Sequence, residues 1–284
     1  MFQFSRLWPK SPSDRVAYVF ALSGIHVVGF FELLVILPFI DRDGFGTYWL
    51  HVVMGLFIYF NVITSFFMLF KVDSTTKGVV LPTLIPGGGE WRYCSSCGTT
   101  APPRSFHCWI CDMCVLRRDH HCTFTGNCVG HQNQRYFLTL LLYLTIGAAY
   151  CNYLNMDYTI DALGGQLSFR AVLTMLLPLL AWTLGMSGAY TFAVSFVSAM
   201  CIVGFILFTV LIVYHGRNLC FGQTCAEASM GKREYDLGFK ENIRQVLGCR
   251  WHLAWLCPFI SSPLPGDGLE FRSRYKHHDT IKDM

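Results

Sequence analysis

Seven of the chain's 13 cysteines fall between Cys94 and Cys128, interleaved with His107, His120 and His121. Cys94, Cys97, His107 and Cys114 read C-x2-C-x9-H-x6-C, and Cys108, Cys111, His121 and Cys128 repeat that pattern 14 residues later. Three thiolates and one imidazole form a closed tetrahedral set for structural zinc, so the eight residues saturate two sites. The quartets interleave, which makes both metals braces of one compact unit. The stretch from 94 to 135 needs such braces, because it has few aliphatic residues and several turn formers, among them Pro102, Pro103 and Gly126. Subtracting the ligands leaves Cys122 and, beside it, His120 and Asp119. A free thiol, an imidazole to take its proton and a carboxylate to orient that imidazole form a nucleophilic constellation. Arg117 and Arg118 add positive charge close by in sequence, which would favour the thiolate. Spacing alone leaves open a spare structural thiol with a surface histidine.

Such a module has to be held by the rest of the chain, and the rest is built for lipid. Of 284 residues 53% are hydrophobic and only 14% charged, against about 25% charged in ordinary soluble domains. Apolar runs at Val16 to Ile40, Tyr48 to Phe70 and Tyr136 to Tyr153 read as three spans. The nearly uncharged stretch from Ala171 to Tyr214 reads as a short embedded segment, Ala171 to Met186, and a fourth span from Thr191. A turn at Asp41 to Gly46 joins the first two spans, and a Pro86 to Gly89 linker opens the polar region. The divisions are a leader (1–15), a transmembrane hairpin (16–70), the cysteine-rich region (71–135), a second transmembrane region (136–214) and a tail (215–284). With four crossings, 20 of the 22 Lys and Arg residues lie on one side, which puts both termini and the cysteine module in the cytosol. The expected fold is a polytopic α-helical membrane protein, a four-span helical bundle with a cytosolic two-zinc module between spans two and three. A formal charge of +4 gives no reason to invoke nucleic acid.

Smaller features carry smaller expectations. Cys220 and Cys225, just beyond the last span, read as ordinary thiols, as do Cys151 and Cys201. Thr224 and Glu227 are placed to cap and pack the C-terminal segment against the module. Trp251, Trp255 and Phe259, four residues apart, suggest an amphipathic helix at the membrane surface. His131 has no partner quartet, and His277 with His278 reads as part of a solvated end.

The motifs resemble those of the DHHC-type zinc-finger protein S-acyltransferases. The resemblance rests on Cys94-x2-Cys97, on Pro103-x-Ser105-x-His107-Cys108-x2-Cys111-x2-Cys114 and on Asp119-His120-His121-Cys122. It continues through Asn127-Cys128-Val129-Gly130, Asn133, Phe137, Thr224-Cys225-Ala226-Glu227 and Tyr235-Asp236-Leu237-Gly238 with Asn242. It implies a ping-pong reaction in which Cys122 takes a long-chain acyl group from an acyl-CoA, such as palmitoyl-CoA. The acyl group then passes to cytosolic cysteines of membrane-associated proteins, in the endoplasmic reticulum or Golgi. Cys122 precedes the third span closely enough for the acyl tail to stay in a cavity between the spans. Three departures stand out: Thr123-Phe124 where the family usually has Pro-Trp, Gly126 where Asn is frequent, and Asp73-Ser74-Thr75 in place of Asp-Pro-Gly. The first motivates an alternative, a weak or inactive zinc-containing membrane scaffold that binds partner proteins.

Overall fold

The computed structural model describes residues 8–40, 46–85 and 90–275. The Asp41 turn, the Pro86 to Gly89 linker and the His277-His278 end lie wholly or mostly outside them. Among the described residues four helices are long and apolar enough to cross a membrane: α1 (Pro12–Ile40), α2 (Tyr48–Lys71), α3 (Gln134–Ala162) and α6 (Ala189–Cys220). Even α2, with 24 residues, reaches about 36 Å at 1.5 Å per residue, more than a hydrocarbon core of about 30 Å. Their surfaces carry exposed apolar side chains, such as Trp49, Leu50, Val53 and Val203, which only a lipid solvent leaves without cost.

α3 runs nine residues past Tyr153, because the polar sequence that follows, with Asn155, Asp157 and Asp161, still supports helix. The segment before the fourth span is two short helices, α4 (Phe169–Leu176) and α5 (Pro178–Thr183). Pro178 separates them: it suits the first turn of a helix but lacks the N–H to continue one.

Between α2 and α3 lie six three-residue strands in three antiparallel hairpins. They are β1 (Arg92–Cys94) with β2 (Thr99–Ala101), β3 (Phe106–Cys108) with β4 (Met113–Val115), and β5 (His120–Cys122) with β6 (Asn127–Val129). After α6 come α7 (Cys225–Ser229), α8 (Phe239–Leu247) and the single turn α9 (Trp251–Ala254). Trp251, Trp255 and Phe259 therefore do not share a helix; α9 ends before Cys257, whose own backbone is restricted by Pro258.

The chain divides into two compact units. One holds the start of α1, the hairpins with the adjoining ends of α2 and α3, and everything from Val213 onward. In it Tyr18 packs against Phe66 and Phe70, with ring centroids 5.6 and 5.2 Å away. The other holds the remaining lengths of the four long helices with α4 and α5. Phe57 meets Tyr143 edge-on there at 5.8 Å, and His51 Nδ1 lies 2.6 Å from the Tyr150 hydroxyl.

Candidate active site

The three hairpins start 14 residues apart, so the repeat in the sequence is a repeat of structure. In the first two, a four-residue turn, Cys94–Cys97 or Cys108–Cys111, ends on a left-handed residue, Gly98 at φ 64° or Asp112 at φ 52°. Glycine adopts that conformation freely, and aspartate more readily than most side chains. Strand register then sets each histidine opposite a cysteine, His107 across from Cys114 and His121 across from Cys128. Hairpin two supplies ligands to both quartets, and its Cys108 and Val115 form a small buried core with Cys128.

Within each quartet the ligand atoms lie within 4.8 Å of one another. In the first, Cys97 Sγ is 3.7 Å from Cys114 Sγ, and His107 Nδ1 is 3.2 Å from Cys97 and 3.8 Å from Cys94. In the second, Cys111 and Cys128 are 3.6 Å apart, and His121 Nδ1 is 3.4 to 3.6 Å from all three sulfurs. A tetrahedron with Zn–S bonds of about 2.3 Å has edges of roughly 3.8 Å, so the donor sets fit zinc. Both histidines point Nδ1 inward and leave Nε2 for a supporting carboxylate. Asp14 Oδ2 is 3.0 Å from Nε2 of His121, and Asp112 Oδ1 is 3.8 Å from Nε2 of His107.

The third hairpin breaks the pattern. Cys122 occupies the place of Cys94 and Cys108, but Thr125 stands where Cys97 and Cys111 supply the second sulfur. Cys122 is thus a knuckle cysteine without a companion thiol in its own turn. Thr125 N and Oγ1 both point to the Cys122 carbonyl, at 3.2 and 3.3 Å.

Around Cys122 the partners come from far along the chain. Asp119, 3% exposed, takes His120 Nδ1 on Oδ2 at 2.8 Å. The same oxygen meets His215 Nδ1 at 3.4 Å and the Cys225 thiol at 3.2 Å, while Oδ1 accepts from Cys225 N at 3.0 Å. The His120 ring packs on Phe137 and His215, with centroids 4.7 and 5.1 Å away. Burial alone would raise the Asp119 pKa, but hydrogen bonds from His120 and His215 hold it far below the usual carboxylate range. Burial likewise works against a charged His120, yet Asp119 first, then Cys122 and Cys225, push its pKa up to about 11. Burial raises the Cys122 thiol; hydrogen bonding from His120 and then Thr125 outweighs it, and the net shift is downward. The arrangement favours a thiolate, an imidazolium and a carboxylate in sequence.

Arg117 and Arg118 do not serve Cys122. The Arg117 guanidinium is buried and donates to Gln134 Oε1 at 2.8 Å, and Arg118 lies against Cys128 and Cys108 of the second quartet. Cys225 is not an ordinary thiol either, since it faces Asp119. Sequence reasoning missed His215, whose only signal was an imidazole near the end of an apolar span, and Asp14, which carried no signal at all.

The C-terminal segment locks onto the hairpins through Arg104, a left-handed residue at φ 62°. Its guanidinium donates to both Glu227 oxygens at 2.7 and 2.6 Å and to Gly222 O at 2.8 Å. The rings of Tyr235 and Phe271 lie 4.1 and 4.9 Å from it. Glu227 also closes a capping box with Thr224, which fixes the turn that presents Cys225 N to Asp119. Asn242 donates to Cys220 O and to Asp236 Oδ1, each at 2.7 Å. His131 Nε2 binds Gly266 O at 3.0 Å, outside both quartets.

The departures in sequence have local accounts. Ser74 Oγ donates to Asn133 Oδ1 at 3.0 Å, and Asn133 in turn donates to Cys128 O, so the serine joins the network under hairpin three. Gly126 sits at φ 59°, a conformation that glycine and asparagine both tolerate, and a Cβ there would approach Pro9 to 2.4 Å. Thr123 and Phe124 are exposed.

Fold and site together define a multi-pass integral membrane protein with a cysteine-rich module whose two quartets suit zinc and whose third hairpin carries a further thiol, Cys122. Residues 88–232 match the DHHC palmitoyltransferase family. The chain is 37% identical over 281 residues to the probable palmitoyltransferase ZDHHC24 of Danio rerio, covering 94% of each chain. It is 38% identical over 213 residues to the probable palmitoyltransferase ZDHHC24 of Rattus norvegicus, 75% of each. With the palmitoyltransferase ZDHHC15 of Homo sapiens it shares 32% over 197 residues, 66% of this chain and 52% of the relative. The chain belongs to the DHHC palmitoyltransferase family, and so to the protein S-acyltransferases.

Proposed function

We propose that the protein moves a long-chain acyl group from an acyl-CoA, palmitoyl-CoA in the first instance, to cysteines of membrane-associated proteins, with Cys122 as the acyl carrier. The observation that carries this reading is that Cys122 lies outside both quartets while His120 is fixed on the buried Asp119 at 2.8 Å. The Cys122 thiolate attacks the thioester carbonyl; a new C–S bond forms, the bond to CoA breaks, and His120 gives its proton to the departing CoA thiolate. In the second half His120 takes the proton of the incoming protein thiol, which attacks the acyl-enzyme and frees Cys122. Asp119 keeps His120 in the tautomer and orientation both transfers need. His215, on the same oxygen as His120, and the Cys225 N–H, on Oδ1, help to hold Asp119 in place.

Two structural zinc ions complete this picture, one on Cys94, Cys97, His107 and Cys114 and one on Cys108, Cys111, His121 and Cys128. Their chemistry is support: they close the hairpins that fix β5 and take no proton or acyl group. The distribution of basic residues supports cytosolic termini and a cytosolic module at the 71–135 region, with an endomembrane such as endoplasmic reticulum or Golgi as the setting. The scaffold alternative rested on Thr123-Phe124, and the match to the palmitoyltransferase family does not favour it.

The test is hydroxylamine-sensitive incorporation of labelled palmitate from palmitoyl-CoA into the purified protein. Cys122→Ser should abolish it with metal content unchanged, and His120→Ala should slow it by roughly 100- to 10,000-fold, the usual worth of a general acid–base group. Undiminished labelling of Cys122→Ser would refute the assignment.

A further inference from the structure

Outside the active site, three side chains that the reaction does not use converge in the second compact unit. Glu32 of α1, Cys151 of α3 and Cys201 of α6 bring their ligand atoms within 4.8 Å of one another. An ionisable side chain inside a span is costly to keep and marks function more often than packing. Glu32 also opens a π-helical turn, Glu32–Ile36, in an otherwise α-helical span, and such wide turns are frequent at functional sites.

The hydrogen bonding around these residues is incomplete in a directed way. Asn155 Nδ2 donates to Glu32 Oε1 at 2.8 Å and lies 4.0 Å from Cys201 Sγ. Glu32 Oε2 and Asn155 Oδ1 are both buried with no N–H or O–H donor, and Asn155 is only 2% exposed. A buried Asn155 oxygen without a donor, and a carboxylate met by only one amide and the Cys151 thiol, are a poor end state in an apolar medium. They are a good donor set for a cation. Asn152 Nδ2 donates to Cys201 O at 3.0 Å, which fixes the backbone that carries one of the sulfurs. A cavity of about 260 Å³ adjoins, and Asn152, Asn155, Thr159 and Ser198 give it a polar side.

We propose that Glu32, Cys151 and Cys201 form a metal site inside the membrane unit for a thiophilic divalent cation of the zinc class. Two sulfurs and a carboxylate oxygen match zinc's preferred donors and leave a fourth position open. Asn155 acts from behind, holding Oε1 so that Oε2 faces the ion. Ligation requires both thiols and the carboxylate to lose their protons, so a divalent ion leaves one net negative charge, which the Asn155 amide N–H faces. The ion thereby ties three spans together at one point. The proposal is independent of the acyl-transfer reading, because none of its ligands belongs to the module.

The experiment uses the full-length chain in lipid nanodiscs, with metal measured by mass spectrometry against protein. Cys151→Ser/Cys201→Ser should carry one metal ion fewer per chain than wild type. After cobalt substitution it should lose part of the thiolate-to-cobalt absorption, while Cys97→Ala should retain that part. Glu32→Gln keeps the side chain's size and its bond from Asn155, and serves where the double variant does not fold. It should release one metal to a mild chelator at least tenfold faster than wild type. Equal metal content in wild type and double variant overturns the proposal, as does Glu32→Gln holding every metal as tightly as wild type. A Cys151–Cys201 disulfide found by thiol counting in the wild type overturns it as well.

Discussion

His107 and His121 occupy equivalent places in the two quartets, yet their surroundings differ. The Nε2 of His107 looks toward Asp112, 3.8 Å away with its side chain 81% exposed, and the ring rests edge-on against Trp109, itself 79% exposed. The Nε2 of His121 meets Asp14 at 3.0 Å, and Asp14 is 1% exposed. Arg118 lies against two sulfurs of the second quartet, where three thiolates around a divalent ion leave a net negative charge. Lys10 Nζ donates to Cys111 O at 2.6 Å from the same side. One sequence pattern thus yields an open site at the rim and a buttressed site next to the nucleophile. Zinc held at the two quartets would therefore have different duties: at the first to close the module, at the second to fix the strand on which His120 and Cys122 lie.

That division can be broken experimentally. The largest effect should come from Cys122→Ser, which removes labelling altogether while both quartets keep their metal; loss of metal as well would mean that Cys122 is a ligand after all. Next, Cys111→Ala should abolish both the second metal and labelling. Cys97→Ala should lose the first metal but keep labelling at least tenfold above background, because structural zinc supplies about 10–16 kcal/mol to its own hairpins and those bearing Cys122 retain theirs. Equal damage from the two substitutions would erase the distinction. Glu227→Ala should follow, costing about 3–5 kcal/mol by leaving the buried Arg104 unpaired; limited proteolysis should find the C-terminal segment loosened first. The smallest effect separates the supporting carboxylates. Asp14→Asn should weaken zinc retention at the second quartet by roughly 10- to 100-fold in a chelator competition, as outer partners of ligating histidines do. Asp112→Asn should change it less than twofold.

What the sequence revealed and what it concealed follow from contact range. The quartets were legible because zinc ligands must recur at short spacings, and a repeat of 14 residues fixes all eight at once. Cys122 and His120 emerged by subtraction from the same count. Four spans were legible from apolar length, although α3 outran its apolar stretch because hydropathy marks lipid and not the end of a helix. The partners of Asp119 were hidden. His215 and Cys225 reach it only after α6 returns to the hairpins, and no local pattern records that approach. Asp14 was equally silent, being a single carboxylate at the start of a span. The tryptophan series failed for a local reason that was readable, the proline at 258 that ends helical continuation.

The threonine in the third hairpin has a pharmacological consequence. Reagents that grip two sulfurs at once, such as trivalent arsenicals, find a pair in the turns of hairpins one and two once these are free of metal. At Cys122 the matching position is Thr125, so its own turn offers no such pair. A small electrophile that needs only one thiolate meets the opposite ranking, since the sulfurs of a closed metal set are engaged and Cys122 is not. With Cys122 as the proposed acyl carrier, the matching inhibitor carries a single reactive carbon on an acyl-like chain.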